Sequence, residues 1–127
     1  MRQVLLDTHT YLWFLNDDPR LSVKAARLIE TSRTEKLFSM ASLWEITIKH
    51  QLGKLVLNCE VGAFLKDFVV DTDLKIVNIA LGHLQALAHL PMQHRDPFDR
   101  LLIAQAKHLR VPIVSHDPAI SAYDVEV

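Results

Sequence analysis

Apolar residues follow two rhythms along this chain. Short unbroken runs such as Val4-Leu5-Leu6 and Pro112-Ile113-Val114 read as strands buried on both faces. Between them lie longer stretches with apolar positions three and four apart, the repeat of an amphipathic helix. In order, the pattern predicts a strand over 4–6 and a helix over 8–15, broken by Asn16-Asp17-Asp18-Pro19. A helix then starts at Ser22 and runs through Ala25, Ala26, Leu28 and Ile29. A short strand over 36–40 leads into a helix over 41–52 that Gly53 closes. The second half reads as a helix over 61–70, a strand over 74–79 and a helix through Leu81, Leu84, Leu87 and Ala88. A helix over 98–109, a strand over 111–115 and a short apolar segment at 125–127 complete it.

Strands alternating with helices predict an α/β fold: a mainly parallel sheet of four or five strands with helices on both faces. Right-handed crossovers and a reversal of strand order place a cleft at the carboxyl ends of the central strands. Asp7 follows the first strand and Asp117 follows the last. If those strands are neighbours, the two carboxylates converge.

Composition narrows this picture modestly. The 127 residues suit one domain, and 50% hydrophobic with 23% charged residues suits a soluble globular protein. The apolar share is generous for so short a chain, which favours a buried oligomer interface. Fourteen Lys and Arg stand against fifteen Asp and Glu, a net charge of −1. A protein that grips nucleic acid mainly by charge is usually basic, so RNA binding has to rest on a local site. Cys59 is the only cysteine, which excludes an intrachain disulfide and a cysteine-based zinc cluster and fits a reducing cytoplasm. The apolar run at 4–6 is too short for a signal peptide, and no stretch approaches the roughly 20 apolar residues of a membrane span.

Candidate chemistry lies with the acids, each of which also has a structural explanation. Asp7 can cap the helix after it. Ser42-x-x-Glu45 can form a capping box, and Glu45 with Lys49 an i,i+4 ion pair. Asp96-Pro97-Phe98-Asp99 makes a sound helix start, with Asp96 as N-cap and Pro97 first in the helix, yet its two acids also share a helix face. Asp117 can open a turn with Pro118. As a set, four or five carboxylates in one cleft raise each other's pKa values, and a hard divalent cation, Mg²⁺ or Mn²⁺ rather than zinc, offsets their repulsion. Such a cation activates water and holds a phosphate.

Four blocks carry a family resemblance: Leu5-Leu6-Asp7-Thr8-His9, Ser42-Leu43-Trp44-Glu45-Ile46, Arg95-Asp96-Pro97-Phe98-Asp99-Arg100 continuing through Leu101-Leu102-Ile103-Ala104-Gln105-Ala106, and Val114-Ser115-His116-Asp117-Pro118. Together they resemble the acidic blocks of PIN-domain proteins, and most closely the VapC-like toxins of bacterial type II toxin–antitoxin systems. The resemblance implies a single PIN domain over residues 1–127, a three-layer α/β fold with Asp7, Glu45, Asp99 and Asp117 lining a Mg²⁺ or Mn²⁺ site. Asp96 is a further acid typical of this branch. Asp7 and Asp99 are the first choices for direct metal contact, and Thr8 and Ser115 match supporting hydroxyls. The implied activity is endonucleolytic cleavage of RNA. The implied partners are a small antitoxin protein and a second copy in a homodimer.

Arg100, Arg95, Lys49 and Lys54 are candidate phosphate contacts, and Arg100 stands first because it adjoins Asp99. His116 is read as facing solvent, and Trp13 and Trp44 as core or dimer packing rather than base-stacking platforms. Two phosphotransfer folds fit poorly. A haloacid-dehalogenase-type enzyme needs a second Asp where His9 stands, and a receiver domain needs a phosphoacceptor Asp where the third strand ends in Asn78-Ile79-Ala80. The remaining alternatives are an RNA-processing PIN nuclease without a toxin role and a PIN-like module that binds without cutting.

Overall fold

A computed structural model of the chain describes residues 2–57, 59–71, 73–91 and 96–117. Among them four strands form one all-parallel sheet: β1 (Arg2–Leu6), β2 (Thr34–Ser39), β3 (Lys75–Val77) and β4 (Ile113–Val114), in the order β3-β2-β1-β4. Six helices connect them: α1 (Thr8–Leu15), α2 (Val23–Glu30), α3 (Met40–Gln51), α4 (Val61–Asp71), α5 (Leu81–Ala88) and α6 (Pro97–Leu109). The expected apolar segment at 125–127 lies outside the described residues.

Alternation along the strands sorts the core into two layers, as a period of two requires. Val4 and Leu6 of β1 and Phe38 of β2 turn to one face, where Tyr11, Leu12, Ile29, Leu43, Ile46 and Phe68 pack on them. Leu5, Leu37 and Ile113 turn to the other, against Leu102, Ile103 and Ala106 of α6. Covered on both faces, the sheet is buried through its thickness.

Strand lengths depart from the apolar runs where pairing, not hydrophobicity, decides. β2 reaches back to Thr34 because Arg2↔Thr34 begins its register with β1. It ends at Ser39 rather than residue 40, since the Ser39 hydroxyl accepts the Ala41 N–H and starts α3 at Met40. β4 keeps two residues of the expected five, paired as Leu5↔Ile113 and Leu6↔Val114, and β3 keeps three of the expected six.

From β1 the chain steps outward to β2 and β3, then returns to the opposite side of β1 as β4. The reversal lies between β1 and β4, and there the Asp7 N–H donates to the Val114 carbonyl at 3.1 Å. The carboxyl ends of these strands open at the point where parallel α/β sheets hold their ligands.

Candidate active site

Asp7 leaves β1 into the N-cap position of α1, but its side chain makes no capping bond. The capping explanation of Asp7 therefore fails. Its carboxylate is buried, with Oδ2 accepting from the Ser115 hydroxyl at 3.2 Å and Oδ1 without a hydrogen-bond partner among the described residues. Burial pushes the Asp7 carboxyl up from 3.8 to about 6. The Ser115 hydroxyl and the Thr8 amide pull it down, while Glu45 and Asp117 push it further up.

Glu45 projects from the first turns of α3 and is 1% exposed. Its Oε1 lies 2.9 Å from the Thr8 hydroxyl, which also sits 2.7 Å from Ser42 Oγ. The Lys49 ammonium meets Oε2 at 2.5 Å, and the His9 imidazole stands 3.9 Å from the same oxygen. The i,i+4 ion pair is present. The capping box is not, because Ser39 occupies the N-cap and Ser42 is bonded to Thr8.

Asp96 caps α6 as its sequence suggests: Oδ1 accepts from the N–H groups of Phe98 and Asp99 at 2.9 and 3.1 Å, with Pro97 opening the helix. One turn on, burial pushes the Asp99 carboxyl up to about 7, and Asp96, Asp7, Glu45 and Asp117 add to the rise. The other four acids thus lie near enough to Asp99 to act on it, and two of them, Asp7 and Asp117, line one cleft. Asp117 is tied to Asp7 through a shared hydroxyl, since its N–H donates to Ser115 Oγ at 3.1 Å.

The donor set suits a hard divalent cation. It is rich in carboxylate oxygen and like charge, and the Asp7 Oδ1 in it is buried without a partner among the described residues. Among the described residues no three acidic or imidazole groups stand close enough to form a ready coordination shell. A cation would have to draw the carboxylates inward, and its charge supplies the reason for them to come.

The expected basic contacts divide. The Arg100 side chain is buried, with Nη1 donating to the Pro91 carbonyl at 2.7 Å, which ties α6 to Pro91. Lys49 is committed to Glu45. Burial lowers its pKa, the bond to Glu45 and the nearby Asp96 and Asp99 raise it, and the balance is upward. Lys54 is exposed, and Arg95 lies outside the described residues.

Trp44 is not a core residue: it is 56% exposed and meets Phe98 edge-on at 5.1 Å. Trp13 is half-buried, with the Arg20 guanidinium 4.7 Å over its ring and the exposed His116 imidazole at 5.6 Å. Trp13 and His116 join Asp7, His9, Thr10 and Asp117 around a cleft of about 250 Å³. From the sequence Ser42 has only a capping role, and Thr10 has none. Both lie three residues from an acid of the set, Ser42 before Glu45 and Thr10 after Asp7, a spacing that puts each on its acid's helix face.

The family model described as PIN domain matches residues 4–126. No curated protein sequence matches the chain. A chain in the crystal structure of VapBC2 from Rickettsia felis, bound to a DNA fragment from their promoter, superposes with a TM-score of 0.71 at 14% identity. The match covers 98% of this chain and 96% of that one. VapC20 of Mycobacterium tuberculosis, described as a sarcin-ricin loop cleaving toxin, superposes with a TM-score of 0.66 at 14% identity, covering 96% and 95%. At these identities the likeness is one of fold.

Proposed function

The chain belongs to the PIN domain family, and from that premise we propose that it is a Mg²⁺- or Mn²⁺-dependent endoribonuclease, the toxin of a toxin–antitoxin pair. One observation carries the reading. Acids from four separate segments gather toward the carboxyl ends of β1 and β4, where burial first and the neighbouring acids second push Asp99 up to about 7. The nuclease activity named for VapC20 supports RNA as the substrate class. The fold shared with VapBC2 supports a small antitoxin as partner, and Trp44 and Leu84, both exposed on helices, support a homodimer.

Asp7 and Asp99 would hold the ion directly, with Glu45 and Asp117 binding directly or through water. Asp96 ranks below them because both its described bonds cap α6. When bound, the ion supplies a nucleophilic water at neutral pH and neutralises charge on the phosphate. The protein contributes positioning. Ser115 fixes the Asp7 carboxylate, Thr8 and Lys49 hold Glu45 from two sides, and the α6 cap sets where Asp99 begins. Lys49 also offsets part of the negative charge that would repel an incoming phosphate.

The test is cleavage of total RNA by the purified chain with Mg²⁺ or Mn²⁺, with EDTA, and by Asp99→Asn. Metal-dependent cuts absent from the variant are the expected result. A well-folded Asp99→Asn protein that cuts normally refutes the site assignment, and metal binding without cleavage of any RNA favours a binding-only module.

A further inference from the structure

The cleft beside the acids has a second wall that metal chemistry does not use. It is formed by His9, Thr10, Trp13 and His116, and it runs continuously into Asp7 and Asp117. At about 250 Å³ it lies below the roughly 300 Å³ at which sites for drug-sized ligands begin, and a single nucleoside fits that scale.

Two observations point to an occupant. The first is the aromatic wall. The Trp13 and His116 rings stand 5.6 Å apart at 57°. Arg20 lies 4.7 Å over the indole, and Asp18 holds Arg20 there through a 2.7 Å bond from Nη2. The second is Thr10. It is 2% exposed, and its Oγ1 has no hydrogen-bond partner among the described residues. An unpaired buried hydroxyl costs about 1–3 kcal/mol, which valine, of nearly the same shape, avoids. A threonine at this place is best explained by a partner that arrives with a ligand.

We infer that this cleft receives the nucleoside next to the scissile phosphate, its base lying against Trp13 and His116 and a polar edge of base or ribose bonded to Thr10 Oγ1. The inference rests on the nuclease reading for the role of Asp7 and Asp117, and it adds the residues that choose where the chain cuts. Stacking suits this protein because a net charge of −1 gives little general attraction for a phosphate backbone, whereas every nucleobase offers a face to an aromatic ring.

The experiment uses the full chain carrying Trp44→Phe, so that Trp13 is the only tryptophan. The four nucleosides, which carry no phosphate for the acids to repel, are titrated in EDTA while Trp13 fluorescence is followed. Saturable quenching by at least one nucleoside is expected, weakened about tenfold by Thr10→Val, while Thr10→Val alone melts at the same or a higher temperature than the parent. With metal, Thr10→Val and His116→Ala still cut RNA but with a relaxed base preference beside the cut. Absence of saturable quenching, equal nucleoside affinity in Thr10→Val, or a lowered melting temperature for that variant each overturns the inference. Quenching by an arginine-rich peptide and by no nucleoside overturns it in favour of a protein partner. The two readings fail separately. Nucleoside binding in a chain that cuts no RNA removes the nuclease and leaves the subsite, whereas unchanged cut-site preference in Thr10→Val and Trp13→Leu removes the subsite and leaves the nuclease.

Discussion

Asp7 shows how a single residue is legible in kind but not in role. The sequence marks it as an acid after a buried strand, and capping explains that position equally well. Only the structure, with no capping bond and an Oδ1 unpaired among the described residues, separates the two. Its raised pKa makes a stability prediction for the metal-free protein. The folded state holds the Asp7 proton up to about pH 6 and the unfolded chain only to about 3.8. Stability is therefore lost as pH rises through that window. Asp7→Asn removes the loss and keeps an oxygen for the Ser115 hydroxyl. In EDTA at pH 8 the variant should be more stable by on the order of 1–3 kcal/mol, with the difference fading below about pH 4. Denaturant melts at the two pH values measure this, and an Asp7→Asn protein less stable than the parent at pH 8 contradicts it. Lys49 gives the opposite case: Lys49→Met leaves the buried Glu45 Oε2 with, among the described residues, only the 3.9 Å His9 contact and should cost about 1–3 kcal/mol. Adding Glu45→Gln should recover part of that in a double-mutant cycle.

At the scale of elements, the periodic helices were readable because their apolar faces meet a sheet, whereas β4 was overestimated because only Leu5 and Leu6 face it. Polar groups inside the layers were not readable. Lys36 reads as an ordinary strand residue, yet it is 3% exposed, and its ammonium donates to the Ile29 and Thr31 carbonyls at the end of α2. Gln105 lies buried in α6, its Oε1 accepting from the Ser39 hydroxyl at 2.6 Å and its Nε2 3.3 Å from His83 Nδ1, which also accepts the Ala80 N–H. With Nδ1 accepting, His83 is held neutral. Burial lowers its pKa, and His108 at 5.1 Å adds to that. The sign is opposite to that of Asp7. Protonation favours the unfolded chain, so stability is lost as pH falls below about 6.5, the ordinary histidine value. Amide exchange in α5 and α6 should quicken between pH 7 and pH 5 beyond its intrinsic pH dependence, and His83→Asn should flatten that change. Identical pH responses in the two proteins would count against the network. Packing beside it is close as well: a Cβ on Gly82 would stand 2.5 Å from the His108 ring, so Gly82→Ala displaces that imidazole.

Across the whole molecule, the α/β class was legible in the alternation of runs, but the neighbour of each strand was not, because apolar runs carry no pairing labels. The order β3-β2-β1-β4 is what brings the strands that precede Asp7 and Asp117 side by side, as the proposed site requires. The same convergence makes the site a store of unfavourable charge, which a divalent cation should release as stability. Saturating Mg²⁺ at about 100 times its dissociation constant adds roughly 2.7 kcal/mol if only the folded chain binds it. At pH 8 this should raise the melting temperature by several degrees over EDTA. At pH 5.5 the ion competes with protons on Asp7 and Asp99, whose carboxyls burial pushes up to about 6 and about 7, so the rise should shrink. Asp99→Asn removes one of those groups and should show a small rise at both pH values. A rise of equal size at pH 5.5 and pH 8, or one that survives unchanged in Asp99→Asn, would place the cation somewhere other than the cleft between β1 and β4.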